Sequence, residues 1–311
     1  MKTNKIWMSR RAFVTSISMA LASFWLMPWR LQAAESRMLR KTIPGTTESL
    51  PVIGLGSSRT FDIDPNDPIF TDLVTLMQEF FAKGGELIDS SPMYGSAEQI
   101  IGNLLNRSGG RDRLFAATKV WTDGEKSGVQ QMESSAQKWG IDHFDLIQIH
   151  NLRDWQTHLK TLKEWKAQGK IRYIGITTSH GQSHRELETL LRQEPFDFVQ
   201  FSYNIENRSV EERLLPLAID RGIAVLVNRP YQRGSLFRTV KGKPLPDWAA
   251  EFDCQSWGQF FLKYIVSHPA VTCVIPATTK LHHLQDNLAA GLGRQPDAAL
   301  RKKMEHYFSA I

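Results

Sequence analysis

The clearest indication of the fold is the stretch Gly85-Glu86-Leu87-Ile88-Asp89-Ser90-Ser91-Pro92-Met93-Tyr94-Gly95-Ser96-Ala97-Glu98. A short, mainly apolar run at 86–89 ends in Asp89, and a turn-forming Ser-Ser-Pro segment follows it. Beyond the turn, Ile100, Ile101, Leu104 and Leu105 recur at the spacing of an amphipathic helix. A buried strand that passes through a polar loop into a helix is one β/α unit.

The same unit recurs along the chain. Eight short apolar runs, bounded by Gly, Pro, Asp or Ser, alternate with amphipathic segments and cover residues 52–55, 86–89, 114–118, 144–149, 173–176, 198–201, 224–227 and 272–275. Runs of this kind are typical of parallel strands buried on both faces. Eight of them, alternating with helices, predict an α/β fold of the closed (β/α)8 TIM-barrel type.

An open doubly wound sheet is the alternative architecture. It would normally carry a glycine-rich phosphate loop after its first strand. The corresponding turn, Gly54-Leu55-Gly56-Ser57-Ser58, lacks the third glycine of that fingerprint, which favours the barrel. Ahead of the barrel, residues 41–46, which contain a Pro44-Gly45 turn, and residues 50–53 predict a short β-hairpin.

The basic charge of the chain is concentrated at its N-terminus. The 311 residues carry a net charge of +6, but residues 1–34 hold five basic residues and no acidic one. The remainder has 33 basic and 32 acidic side chains, so it offers no basic footprint for nucleic acid.

Residues 1–34 are expected to be a targeting segment. Arg10-Arg11 precedes the apolar run 13–29 and the small pair Ala33-Ala34, a pattern that resembles the bacterial twin-arginine (Tat) export signal. The expectation is export to the periplasm through the Tat machinery, with a mature barrel at 35–311. The alternative is an uncleaved signal that anchors the protein to the membrane.

The only two cysteines, Cys254 and Cys273, give neither a disulfide framework nor a metal-binding spacing. A protein that folds in the reducing cytoplasm before export is expected to keep both thiols free and buried.

Residues suited to carbonyl reduction lie where the predicted strands end, which is where barrels carry their chemistry. These residues are Asp89, Lys119 and His150, with Tyr94 shortly after Asp89. A carbonyl that accepts a hydride needs a proton donor beside its oxygen. A lysine ammonium lowers the pKa of a nearby tyrosine, a carboxylate holds that lysine, and a histidine can orient the carbonyl. Alone, each residue has a structural explanation; their shared position at successive strand ends favours catalysis.

These segments resemble the aldo-keto reductase family. Residues 85–98 resemble its signature around the catalytic Asp and Tyr, 117–121 its lysine strand, and 145–150 its histidine strand. The resemblance covers about residues 43–288. It implies NAD(P)H-dependent reduction of small aldehydes or ketones, with Tyr94 as general acid, Lys119 and Asp89 tuning it, His150 orienting the substrate, and no metal.

The resemblance also implies a set of cofactor-binding residues. Residues 275–280 and those after them resemble the family's adenosine-phosphate segment, which assigns Thr278, Thr279, Lys280, His283 and Asn287 to the cofactor. A helix N-terminus there suits a phosphate. Lys280 favours NADPH as the cofactor. NADH stays an alternative, because many relatives have an arginine where His283 stands.

The nicotinamide end departs from the family pattern. Thr177-Thr178 stand where many members have Ser-Asn as ligands of the nicotinamide carboxamide, and Gln200 matches the third ligand of that group. Asn228, followed by Arg229, stands where many members stack a tyrosine on the nicotinamide ring. Tyr231 could supply that face from a rearranged loop.

Pocket walls are expected from Phe61, Trp121 and Tyr231, with the long irregular segment 229–253 covering cofactor or substrate. The alternative function is an exported dinucleotide-binding or redox-sensing barrel with little turnover. A metal-dependent hydrolase is disfavoured because histidine and carboxylate pairs do not gather at the strand ends.

Overall fold

The computed structural model describes residues 37–311. The predicted export signal, residues 1–34, lies outside the described residues, and its interpretation stays a prediction. Among residues 37–311, none of the helices combines the length and apolar character that crossing a membrane requires.

Eight parallel strands, each paired with its neighbour in the chain, form the barrel predicted from the sequence. They are β3 (Leu55–Gly56), β4 (Leu87–Asp89), β5 (Phe115–Val120), β6 (Phe144–Ile149), β7 (Ile171–Thr177), β8 (Phe198–Ser202), β9 (Ala224–Asn228) and β10 (Val271–Val274). The first and last strands meet through backbone hydrogen bonds, such as Gly54 N–H to the Val274 carbonyl at 2.9 Å. The (β/α)8 prediction is confirmed.

The predicted N-terminal hairpin is present and plugs one end of the barrel. Strands β1 (Arg40–Thr42) and β2 (Ser49–Pro51) pair antiparallel. Ile43 and Leu50 pack inside the barrel with residues that begin strands, including Phe115 and Phe198. Apolar contacts therefore close the barrel at the amino ends of the strands. A functional site can form only at the carboxyl ends.

Amphipathic helices cover the outside of the barrel. They are α1 (Ile69–Ala82), α2 (Ala97–Ser108), α3 (Glu125–Trp139), α4 (Trp155–Ala167), α5 (His184–Gln193), α6 (Leu214–Arg221), α7 (Ser235–Thr239), α8 (Trp257–Val266), α9 (Leu281–Ala289) and α10 (Ala298–Ser309). The predicted helical stripes lie against the strands; Leu73, Leu76, Met77 and Phe80 of α1, for example, are fully buried.

The segment 229–253 is more ordered than expected. It contains α7 and two 3-10 turns, Gln232–Gly234 and Asp247–Phe252. Leu236, Ala249 and Phe252 are buried, so apolar anchors fold the segment onto the barrel. Cys254 and Cys273 are free and buried, as predicted.

Candidate active site

A cavity of about 1100 Å³ opens at the carboxyl ends of the strands. Its wall is built by Gln200 on β8 and by the loops that follow β3, β4, β6, β7, β9 and β10, so it depends on barrel closure. Tyr94, Asp89 and His150 line the cavity, and Lys119 lies beneath them, fully buried.

A buried ion pair forms the floor of the site. Lys119 on β5 donates hydrogen bonds to Asp89 Oδ2 at 2.5 Å and to the Ser90 carbonyl at 2.7 Å. Burial is the largest single influence and would lower the pKa of Lys119, but the charge of Asp89, the neighbouring Tyr94 and the hydrogen bonds to both together raise that pKa. The amine therefore stays an ammonium ion inside the barrel mouth.

Amides complete the environment of Asp89. Its second oxygen, Oδ1, accepts from Gln148 Nε2 at 2.8 Å and from Gln200 Nε2 at 3.1 Å. Because a buried carboxylate is costly without partners, these bonds compensate for the burial of Asp89 and fix its position. Gln148 was not singled out from the sequence; its signal is a lone amide inside the apolar run 144–149, two residues before His150.

The loop after β4 carries Tyr94 to the cavity wall. Gly95 takes a left-handed conformation (φ +60°), and a Cβ there would lie 2.1 Å from Asp62 Oδ1. The same Asp62 oxygen accepts from the Ser96 amide at 2.9 Å, which fixes the start of α2. The Lys119 amine lies 5.2 Å from the centroid of the Tyr94 ring.

The pKa of Tyr94 differs from the sequence-based expectation. The charge of Lys119 does lower it, as expected, but burial raises it by more, and the net direction is upward. The phenol is thus held protonated, although the charge of Lys119 favours its ionised form.

His150 lies beside Tyr94 in the wall of the cavity. Its ring meets that of Tyr94 edge to face, with centroids 5.8 Å apart. Burial, assisted by the charge of Lys119, lowers the pKa of His150 to about 3, so the imidazole is neutral. The structure therefore brings together all four predicted catalytic residues: Asp89, Tyr94, Lys119 and His150.

The predicted nicotinamide ligands also line the cavity, but three of them, Thr177, Gln200 and Asn228, already form hydrogen bonds within the protein; the Thr177 hydroxyl accepts from the Asn151 amide at 3.2 Å. Gln200 donates to Asp89 and Gln148, and its oxygen accepts from Asn228 Nδ2 at 3.2 Å. Asn228 also donates to the Thr178 carbonyl. The Thr178 hydroxyl is buried with no partner among residues 37–311, which leaves it free for a ligand.

Cationic side chains gather at the rim of the cavity. Arg229 donates to His180 at 2.5 Å, and burial and then the charges of Arg233 and Arg59 lower its pKa. None of these three arginines forms an ion pair with a carboxylate in the described part of the chain, and Arg229 Nε is buried without a partner there. Like charges gathered in this way favour an anionic ligand. Arg59, His180 and Arg233 were missed from the sequence because they meet only through the fold.

The far end of the cavity is formed by α9 and the turn before it. Thr278, His283 and Asn287 line it, together with Tyr231, whose hydroxyl donates to Asn287 Oδ1 at 2.6 Å. Tyr231 therefore faces this end of the cavity. Thr279 and the exposed Lys280 lie outside the lining, because the turn closed by Thr278 Oγ1 and the Lys280 amide directs Lys280 to solvent.

Two predicted pocket walls do not line the cavity. Phe61 is fully buried in the core, because the turn from Ser57 to Phe61 points its ring inward and leaves Arg59 and Asp62 facing the cavity. Trp121 lies beside His150, with ring centroids 6.4 Å apart, but outside the lining. The apolar walls are instead Met93, Phe237 and Trp257. Within residues 37–311, no group of His, Cys, Asp or Glu is arranged to hold a metal.

Comparisons with known proteins agree with this geometry. Residues 52–300 match the model of the aldo/keto reductase family. The NADH-specific methylglyoxal reductase of Escherichia coli is 29% identical over 248 residues, which cover 67% of this chain and 73% of that protein.

Solved structures share the fold. The thermostable aldo-keto reductase Tm1743 is 26% identical, with a TM-score of 0.73 over 86% of this chain and 99% of its own. The Klebsiella pneumoniae aldo/keto reductase in complex with NADP and acetate superposes with a TM-score of 0.72 at 21% identity, over 88% of this chain and 95% of its own. With the family model spanning most of its length, the chain belongs to the aldo/keto reductase family.

Proposed function

We propose that this protein reduces small aldehydes or ketones to alcohols with NAD(P)H, and that Tyr94 is the general acid. The observation that carries the proposal is the contact of Lys119 with Asp89 directly beneath Tyr94, with His150 alongside. The E. coli relative, by its name, reduces methylglyoxal, a small carbonyl compound. The apolar walls Met93, Phe237 and Trp257, with few fixed polar partners, suit small and varied substrates.

The residues of the chain act on the carbonyl oxygen. A bound dihydronicotinamide supplies the hydride for the carbonyl carbon. As negative charge grows on the oxygen, the Tyr94 hydroxyl transfers its proton there, and the Lys119 ammonium offsets the charge left on the phenol. Asp89 keeps Lys119 in position throughout. His150, neutral and buried, contributes a hydrogen bond without adding a proton of its own.

The cavity suits a dinucleotide. The free Thr178 hydroxyl offers a hydrogen bond to a carboxamide, and the cationic rim of Arg59, Arg229 and Arg233 suits phosphate groups. Thr278, His283 and Asn287 lie at the adenosine end. We propose NADPH as the cofactor, with NADH as the alternative that the E. coli relative's name supports.

A second candidate, an exported dinucleotide-binding or redox-sensing barrel with little turnover, is favoured by the amides of Gln200 and Asn228. Both are engaged within the protein, so the nicotinamide would be less firmly oriented. Repeated turnover of an aldehyde would exclude this candidate.

We expect Tyr94→Phe to lose at least about 100-fold in kcat with methylglyoxal and simple aldehydes, because the proton donor is removed. Fluorescence titration should give the same NADPH and NADH affinities as the wild type. The matched control is Tyr173→Phe on β7, whose ring packs on Phe115 and Phe198 at the amino end of the barrel, away from the cavity. Equal rates for Tyr94→Phe and the wild type would rule out the proposed acid.

We expect kcat/KM at saturating NADPH to be flat from about pH 5 to about pH 9. The pKa of His150, at about 3, lies below this range, and the pKa of Tyr94 is raised from its ordinary value, so neither group changes protonation within it. Loss of activity should begin only where alkali ionises Tyr94. A titration near neutral pH, with NADPH affinity unchanged, would contradict this assignment of charges.

We also propose that the protein is exported to the periplasm by its twin-arginine segment, either cleaved from it or held to the membrane by it. In cells that make the full chain, fractionation should recover the barrel from the periplasm or the membrane. Replacing Arg10 and Arg11 with lysine should leave it in the cytoplasm. An unchanged distribution of the lysine variant would contradict export by this route.

A further inference from the structure

Ser91 contacts His150 from the loop that carries Tyr94. Its Oγ lies 2.9 Å from His150 Nδ1, and Ser91 is fully buried, two residues after Asp89. Neither the sequence motif nor the family match assigns a role to this hydroxyl. Whether Nδ1 donates to this hydroxyl or accepts from it determines whether Nε2 carries the ring proton, because a neutral imidazole has a single proton.

The direction of this hydrogen bond follows from the other partner of Ser91. The Met93 amide donates to Ser91 Oγ at 3.2 Å, which occupies one acceptor site of the hydroxyl. In residues 37–311, the hydroxyl hydrogen has no acceptor other than His150 Nδ1. A buried hydroxyl hydrogen without an acceptor is costly, so the arrangement that satisfies every group has Ser91 donating to Nδ1.

The protonation state of His150 then follows. The ring is neutral, since its pKa is lowered to about 3 by burial and by Lys119. With Nδ1 acting as an acceptor, the single proton must be on Nε2. His150 lines the cavity, and Nε2 has no hydrogen-bond partner among the described residues. It is thus available to a substrate as a donor.

We propose that Ser91 is a positioning residue that holds His150 as its Nε2–H tautomer, so that Nε2–H and the Tyr94 hydroxyl both donate to the substrate's carbonyl oxygen. A carbonyl oxygen has two lone pairs and accepts two such bonds. The Nδ1–H tautomer would present a lone pair to that oxygen and repel it. The inference rests on the proposed reduction, but the tautomer itself is a property of the free protein.

The test combines nitrogen NMR with kinetics. In protein labelled with 15N-histidine, long-range proton–nitrogen correlations distinguish the two tautomers, and the His150 signals are identified by their loss in His150→Gln. We expect Nε2–H in the wild type and a mixture of tautomers in Ser91→Ala. Loss of one hydrogen bond predicts a fall of about tenfold in kcat/KM for an aldehyde, with NADPH affinity unchanged.

Thr161→Val is the matched control. Thr161 on α4 is also buried and donates one hydrogen bond, to the Thr157 carbonyl at 3.3 Å, and it does not line the cavity. It should keep both the wild-type tautomer and the wild-type rate. Ser91→Thr, which keeps the hydroxyl, should keep His150 in the Nε2–H state.

Two outcomes would overturn the inference: Nδ1–H in wild-type His150, or an unchanged tautomer together with an unchanged rate in Ser91→Ala. The first needs no variant of Ser91, so failure of Ser91→Ala to fold does not remove the test. If the wild type reduced no aldehyde, the proposed function would fail, while the tautomer measurement would still decide the state of His150.

Discussion

The structure of the site depends on one buried ion pair, between Lys119 on β5 and Asp89 on β4. Two opposite charges taken out of water are tolerable only when geometry and additional hydrogen bonds compensate for lost solvation. In this site the ammonium gains the Ser90 carbonyl as well as Asp89, and the carboxylate gains amide donors. A buried ion pair with this desolvation cost is expected where charge develops during a reaction, because the fixed ammonium offsets that charge without a reorganisation of solvent.

The outer face of the same strand contacts the helix that follows Tyr94. Thr118, next to Lys119, points away from the barrel and donates to the buried Glu98 of α2. Successive residues of a strand point to opposite faces. One face therefore holds the charge, and the other anchors the helix that begins three residues after Tyr94. Small errors in strand register would disturb both at once.

The sequence predicted the barrel, the hairpin and the four central residues because each depends on local pattern: strand-length runs, a turn and polar strand ends. It failed where contacts cross the barrel mouth. Arg59 and Arg229 lie 170 positions apart and meet only after closure. Phe61 was mistaken for a pocket wall, since an aromatic residue after a strand can turn either way and only the geometry of the loop decides. The net direction of the Tyr94 pKa shift depends on burial, which no motif reveals.

The most direct test of the role of the ion pair is single-turnover hydride transfer in the double variant Asp89→Asn, Lys119→Met. Removing both charges together avoids leaving one of them buried alone. With NADPH bound in advance and an aldehyde in excess, we expect the NADPH signal to decay at least about 100-fold more slowly than in the wild type, with NADPH affinity retained. Decay at the wild-type rate would show that the pair is structural and that proton transfer from Tyr94 does not depend on it.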